Sequence, residues 1–519
     1  GDYTNYTYDA RGNVTEVREV AKPGSGEADI VATASYDATC LNPATCNQPN
    51  YTVDPKGNRT DYTYDPTHGG TVKVQMPAPV AGGARPEVNY TYTPQFAGYR
   101  DEAGNLLAPA TPEYKVTQVT TCATAATCPG TANETKVTIA YNTPNLQVSS
   151  VTVASGNGAI SSTTNYTYDA ADNLKTIDGP LPGTADTTTL FYDSVNRKKG
   201  VIGPDPDGSG SRQRPAERYS YDAESRVTRV ERGHASDATD AALTAMTVAN
   251  FTDVTYDAKG NLLRVDLKSG TTIHAVTQYS YDADNRLTCT AVRMNPAVFG
   301  SLPADACTSS TYSATFGPDR ITRNYYDSAG RITKVQTAYG TADQADEVTV
   351  TYTANGKTAT VKDAEGNLTT YEYDGFDRLK KTRYPVTTAG ANASSTTDYE
   401  QLTYDANGNV TQRRLRDGNT ISFAYDNLNR ITSATPNTEH AVNVQYDMLG
   451  RTTQIQRPGD GATITLAYDA LGRLLSEGQP FGNAAFQYDA AGRLTRITWG
   501  DGFYVTYDYD VAGNVTAIR

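Results

Sequence analysis

Tryptophan occurs once in these 519 residues, methionine and histidine four times each, and phenylalanine ten times. So small a stock of the side chains that usually fill helical cores argues against a conventional helix-built enzyme of this length. No apolar run approaches the roughly 18–20 residues of a membrane-spanning helix, so no transmembrane segment is expected. Basic surplus is missing too: 45 Lys and Arg stand against 58 Asp and Glu, a net charge of −13. A nucleic-acid partner needs a basic footprint to displace phosphate counterions, and an anionic membrane would repel this chain. None of the six cysteines has the two-residue spacing of zinc knuckles or dithiol redox motifs. His68, His234, His274 and His440 are scattered, and no Walker or dinucleotide fingerprint occurs. No cofactor, metal or catalytic constellation is therefore expected.

What the chain has is tyrosine, 37 copies, with 43 glycines and 25 prolines as punctuation. Together with valine and many threonines this is strand composition. Only 38% of residues are hydrophobic, which predicts sheets with one packed and one wetted face. The cysteines fall into local pairs, Cys40/Cys46, Cys122/Cys128 and Cys289/Cys307. Loop-stapling disulfides in an extracellular or cell-surface setting are the natural reading, with unrelated free thiols as the alternative.

A repeat dominates the chain. Tyr-Asp, two variable residues, a fifth residue that is Gly, Asn, Asp or Ser, and a sixth that is Asn or Arg recur from fourteen tyrosines, beginning at Tyr8. The last six start at Tyr404, Tyr425, Tyr446, Tyr468, Tyr488 and Tyr509, in steps of 21, 21, 22, 20 and 21 residues. The residue two before the tyrosine is usually apolar or aromatic, which makes a period-two strand. The aspartates, among them Asp405, Asp426, Asp447, Asp469 and Asp489, can close Asx turns. The fifth place, Gly450, Gly472 and Gly492 for example, takes residues that tolerate positive φ, as the end of a short hairpin turn requires. Tight turns at Asp417-Gly418-Asn419, Gly459-Asp460-Gly461 and Asp501-Gly502 close each unit from the other side. One hairpin is barely stable alone, so neighbours must stack. The expected fold is all-β, an array of antiparallel hairpins forming a spiralling sheet or hollow shell. Residues 1–162 carry degenerate repeats with long insertions and 163–519 a regular array. The sequence opens inside a repeat and stops just after one, as a processed or truncated product would.

Motifs such as Tyr468-Asp-Ala-Leu-Gly-Arg-Leu474 and Tyr488-Asp-Ala-Ala-Gly-Arg-Leu494 resemble the RHS/YD repeat family of bacterial Rhs polymorphic toxins, Tc toxin cocoon components, wall-associated proteins and teneurins. The resemblance implies a β-ribbon spiralling into a hollow shell that often encloses a toxic C-terminal domain. The toxin branches end in an Asp-Pro-x-Gly-type self-cleavage signature. Here Asp54-Pro55-Lys56-Gly57 and Asp205-Pro206-Asp207-Gly208 lie within or between repeats and read as turns.

The nearest approach to a metal site is Asp205, Asp207 and Ser209, the first half of a calcium loop whose twelfth place is Ala216 instead of Glu. Arg451, Arg473 and Arg493 beside the tyrosines suggest either glycan platforms or, more simply, ladders of Tyr, Asp and Arg between stacked hairpins. The functional expectation is a non-enzymatic structural shell that encloses or presents its own C-terminal region or another polypeptide. The alternatives are self-association into extracellular filaments or a surface layer, and a module for surface glycans.

Overall fold

The computed structural model describes residues 2–100, 106–107, 111–208, 210–480 and 482–519. Alternating Thr, Val and Tyr favour extended backbone, and the permissive residues at each reversal favour hairpins. The outcome is a 38-stranded sheet, antiparallel throughout the described strands. Strands pair in chain order, except that Glu87–Gln95 pairs with Glu113–Cys122 across a two-stranded hairpin of Tyr99–Arg100 and Leu106–Leu107. Among the described residues helix is limited to Asp240–Thr244, capped by Thr239 through the Ala242 N–H, and a 3-10 turn at Pro296–Val298. Neither is long or apolar enough to cross a membrane.

The wall is one sheet thick. A monomer of 55.7 kDa packed around a central core would expose about 18,000 Å². This chain exposes 27340 Å², and most strand residues are only half-buried. Apart from scattered positions such as Val276 and Cys46, the fully buried apolar residues form two small clusters. In one, Leu243 and Met246 beside the short helix cover Ile202, Ala216 and Ala235. In the other, Ala306 and the Cys289–Cys307 disulfide pack on Ala291 and Ile321. Arg293 lies beneath this second cluster's loop, paired with Asp319 at 2.8 Å and donating to Gln278 Oε1 and the Thr308 carbonyl. Both remaining cysteine pairs, Cys40–Cys46 and Cys122–Cys128, are also bonded, with Cα atoms 4.7 and 5.6 Å apart.

The sheet comes round on itself. Hydrogen bonds join residues from 298 to 355 positions apart, from Arg212 with Asp510 to Lys22 with Asp377. Between these lie Asn407 with Asp54 and Asn427 with Ala78. One winding thus takes about three hundred residues or more, and the segment from Gly375 to Val511 runs alongside the segment from Lys22 to Arg212.

Candidate functional site: the turn ladder and the seam

Each Tyr-Asp turn is a closed hydrogen-bond circuit. At Asp447, the backbone N–H donates to the Arg451 carbonyl at 2.9 Å, and Gly450 N–H returns to the Asp447 carbonyl at 3.1 Å. Asp447 Oδ1 accepts the N–H groups of Leu449 and Arg451, both at 2.9 Å, and Oδ2 accepts Arg451 Nε at 2.6 Å. Asp405 does the same with Asn409, and Asp426, Asp469 and Asp489 with Arg430, Arg473 and Arg493. The fifth residue has positive φ in all fourteen repeats, from 57° at Asp377 to 91° at Gly260, with Gly450, Gly472 and Gly492 at 86°, 86° and 77°. A residue left over opposite the tyrosine forms a β-bulge at each of these turns, as at Gln445/Tyr446.

Neighbouring turns are locked to one another. The Tyr446 hydroxyl donates to the Ile431 carbonyl, where the preceding strand restarts, at 2.8 Å. Tyr404, Tyr425 and Tyr488 reach Leu379, Val410 and Leu474 in the same way. Each arginine bridges forward. Arg451 Nη1 donates to the Asp469 carbonyl at 2.7 Å while its guanidinium lies 4.9 Å from the centre of the Tyr468 ring. Arg473 and Arg493 repeat this on Tyr488 and Tyr509. Burial raises the pKa of Tyr404, Tyr425, Tyr446 and Tyr488, so these hydroxyls remain donors far above neutral pH.

Three turns that lack the Tyr-Asp signature share the circuit. Asp54 accepts from Lys56 and Asn58, Asp363 from Glu365 and Asn367, and Thr353 substitutes its hydroxyl for the carboxylate toward Lys357. Their signal was a positive-φ glycine followed by Asn or Lys, without the tyrosine at Asp54 and Asp363 and, after Tyr352, without the aspartate at Thr353.

The circuit uses the N–H of every turn residue except the third. That free donor forms the seam between windings. Asn427 N–H reaches the Pro79 carbonyl at 3.0 Å, Met448 N–H the Ala123 carbonyl at 2.9 Å, and Val511 N–H the Pro206 carbonyl at 3.3 Å. Gly375 N–H reaches Glu27 Oε2 at 2.7 Å. Lys56 with Asp405 at 3.0 Å and Arg212 with Asp510 at 3.1 Å add ion pairs. Burial pushes the Asp405 carboxyl up, and Asn409 and Lys56 outweigh it, leaving its pKa below the ordinary value. The insertions of the first winding, including Met76 to Arg85, are what the second winding rests on.

The side chains of Asp205 and Asp207 lie next to each other. Asp205 accepts the Asp207 N–H at 3.3 Å and lies 3.9 Å from Arg214, while Asp207 accepts the Arg212 N–H at 3.0 Å. Ser209 lies outside the described residues. Among the described residues no group of three or more His, Cys, Asp or Glu side chains is placed to hold a metal. His68 stacks between Tyr92 and Tyr114. A cleft of about 620 Å³ lies on the seam between Val53 and Leu428. Its two carboxylates are engaged already, Glu16 by Arg18 and Asp54 by Asn58 and Asn407.

Two family models match the chain, Teneurin YD-shell over residues 386–519 and RHS Repeat over residues 256–293 and 352–389. No curated protein matches. Among solved structures, that of TcdB2-TccC3-Cdc42 matches with a TM-score of 0.50 and 11% identity over 99% of this chain and 32% of that one. TcdB2-TccC3 alone matches at 0.35 and 13% over 98% and 33%, and the Photorhabdus luminescens Tc holotoxin pore at 0.27 and 13% over 99% and 27%. The chain spans about a third of the structures it matches first, and at this identity the first likeness shows the fold alone. Residues 256–293 and 352–519 thus match RHS/YD-repeat models, and the fourteen repeat turns inside and outside those spans share one fifth-place conformation.

Proposed function

We propose that this chain is the wall of a secreted or surface-delivered YD shell that encloses or presents another polypeptide, either a following region of its own protein or a separate chain. The observation that carries the reading is the seam, in which backbone N–H groups left free by the turns of one winding bond the loops of the other. A ribbon serving only as a flat binding surface has no need to be fastened to itself a winding later. The repeated aspartates support a structural duty, since each is consumed by its own turn. The three disulfides support an oxidising, extracytoplasmic setting.

Two measurements test this. Negative-stain images of the purified chain should show a hollow ring or barrel; solid particles or flat ribbons overturn the proposal. An unstructured reporter fused after Arg519 should resist protease while the shell is intact and become sensitive when it unfolds. Cleavage at the rate of the free reporter overturns enclosure and leaves presentation.

A further inference from the structure

The seam is fastened turn by turn, and one turn is left out. On the edge away from its Tyr-Asp turns the first winding has seven connections: 21–29, 54–58, 76–86, 123–133, 156–160, 179–187 and 203–213. The second winding passes them with seven Tyr-Asp turns, from Asp374 to Asp510. The two series meet in order. Lys22 and Glu27 hold the turn at Asp374, and Asp54 and Lys56 the turn at Asp405. Ala78 and Pro79 hold the turn at Asp426, and Ala123 the turn at Asp447. Thr135 Oγ1 donates to the Ala470 carbonyl at 2.6 Å, and Pro206 and Arg212 hold the turn at Asp510.

By this succession the connection 179–187 lies across from the turn at Asp489. Among the described residues no hydrogen bond or ion pair joins the two. The Asp489 side chain tells the same story. It is 21% exposed, against 3 to 15% for the aspartates of the six fastened turns. Asp222, Asp282 and Asp327, whose turns lie outside the bonded segments, are 21 to 23% exposed. The seam is open at its sixth place.

The opening has a width and a chemistry. Its flanking fastenings, at Ala470 and Val511, are four strands apart along the sheet, about 19 Å at the usual strand spacing. One extended chain with its side chains is only about 10 Å thick. At Asn427, Met448 and Val511 the third-place N–H donates to a main-chain carbonyl. Ala490 holds that place here, is exposed, and among the described residues its N–H has no acceptor. In the loop across from it, Asp186 Oδ2 accepts the Leu181 N–H at 3.0 Å while Oδ1 has no donor. A peptide unit carries both of the groups that are wanting, a carbonyl and an N–H.

We propose that the sixth place of the seam, between 179–187 and the turn at Asp489, is where an extended polypeptide crosses the wall. One of its carbonyls accepts the Ala490 N–H as Pro79 accepts that of Asn427. The inference rests on the enclosing or presenting wall proposed above and locates the opening in it.

The probe is the unstructured reporter fused after Arg519. p-Benzoylphenylalanine in place of Ala490 should cross-link to the reporter several-fold more than in place of Ala258, the exposed third residue of a turn outside the seam. In the unsubstituted fusion, exchange protection of the Ala490 amide should rise about fivefold over the chain alone, the effect of one hydrogen bond. Protease rates separate this from the wall itself. A resistant reporter that is not captured at position 490 leaves the wall standing and overturns the crossing site. A reporter cleaved at the free rate but captured there overturns enclosure and supports the crossing site. Cross-linking of position 490 to 179–187 of the same chain means that the loop closes as a strap, and it overturns the proposal, as does an Ala490 amide unaltered by the fusion.

Discussion

Asn409 Nδ2 donates to Asn429 Oδ1 at 2.8 Å across two successive turns, joining the sixth residue of one repeat to the fifth of the next. Asn173 and Asn261 bond Asn196 and Asn285 in the same way, and where arginine occupies the sixth place glycine or serine takes the fifth place of the next turn, so the two positions are chosen together. Asn409→Arg should crowd Asn429 and forfeit the bond, and Asn429→Gly should relieve the crowding. A double-mutant cycle on the pair should show favourable coupling of about 1 kcal/mol. Native-state hydrogen exchange of the two turns is the appropriate readout, because long arrays need not unfold in one step. Strict additivity would mean the pairing is incidental.

The fifth position carries a backbone demand independent of its neighbours. Gly472 sits at φ 86°, and a Cβ there meets nothing within 4 Å, so conformation alone decides the outcome. Gly472→Val should lower the stability of its hairpin by about 1–2 kcal/mol, the cost of forcing a branched residue left-handed. Gly472→Asn should cost less than half of that, since Asn196, Asn285 and Asn429 already adopt the same conformation in their turns. Matching losses for the two variants would show that space, not φ, governs the site.

Acid should loosen the turns. At Asp282 and Asp327 the backbone N–H groups of Arg286 and Arg331 hold the carboxyls below their ordinary range, and at Asp257 the Asn261 amide does so. A lowered folded-state pKa contributes stability that is present above the unfolded value, about 3.9, and is lost as pH falls through the folded one. Exchange protection at Arg286, corrected for intrinsic rates, should decline as pH falls below about 4. Asp282→Asn should remove most of that dependence at its own turn. Protection that stays flat over this interval in the unsubstituted chain would refute the assignment.

Much of this was legible in the sequence because each repeat states its own geometry. The fifth-place residues announced positive φ, and all fourteen have it. The cysteines paired locally, at separations of 6, 6 and 18 residues, as their spacing suggested. Turns such as those at Asp54 and Thr353 were missed because the backbone circuit needs only an acceptor and a permissive residue, not the tyrosine (absent before Asp54) or the aspartate (replaced by Thr353). The Asn–Asn coupling was written in the sequence and becomes visible only once successive turns are known to touch. The seam could not be read at all. Its partners are some 300 residues apart, and its donors are backbone N–H groups that leave no mark on residue identity. The short helix at Asp240–Thr244 falls in the same class, a local insertion whose Leu243 finds its core only on the neighbouring strands.

The third turn position separates the seam from the turn itself. Its N–H is the one the circuit leaves over, and Pro55 occupies that place in the first winding, so proline fits the backbone there. The preceding aspartate closes a strand and is extended, which a following proline favours. Met448→Pro and Asn427→Pro together should therefore preserve both hairpins while deleting the donors to Ala123 and Pro79. Exchange protection at Gly450 and Arg451 should stay within about threefold of the parent, because their acceptors on Asp447 are untouched. Protease sensitivity of the loop from Met76 to Arg85 should rise about thirtyfold, because Asn427→Pro deletes two bonds to it, to the Pro79 and Ala78 carbonyls, each worth about 1 kcal/mol. If the turn melts as well, the third N–H belongs to the circuit after all. If the loop remains protected, the windings are held together by something other than these bonds, and the closed wall loses its fastening.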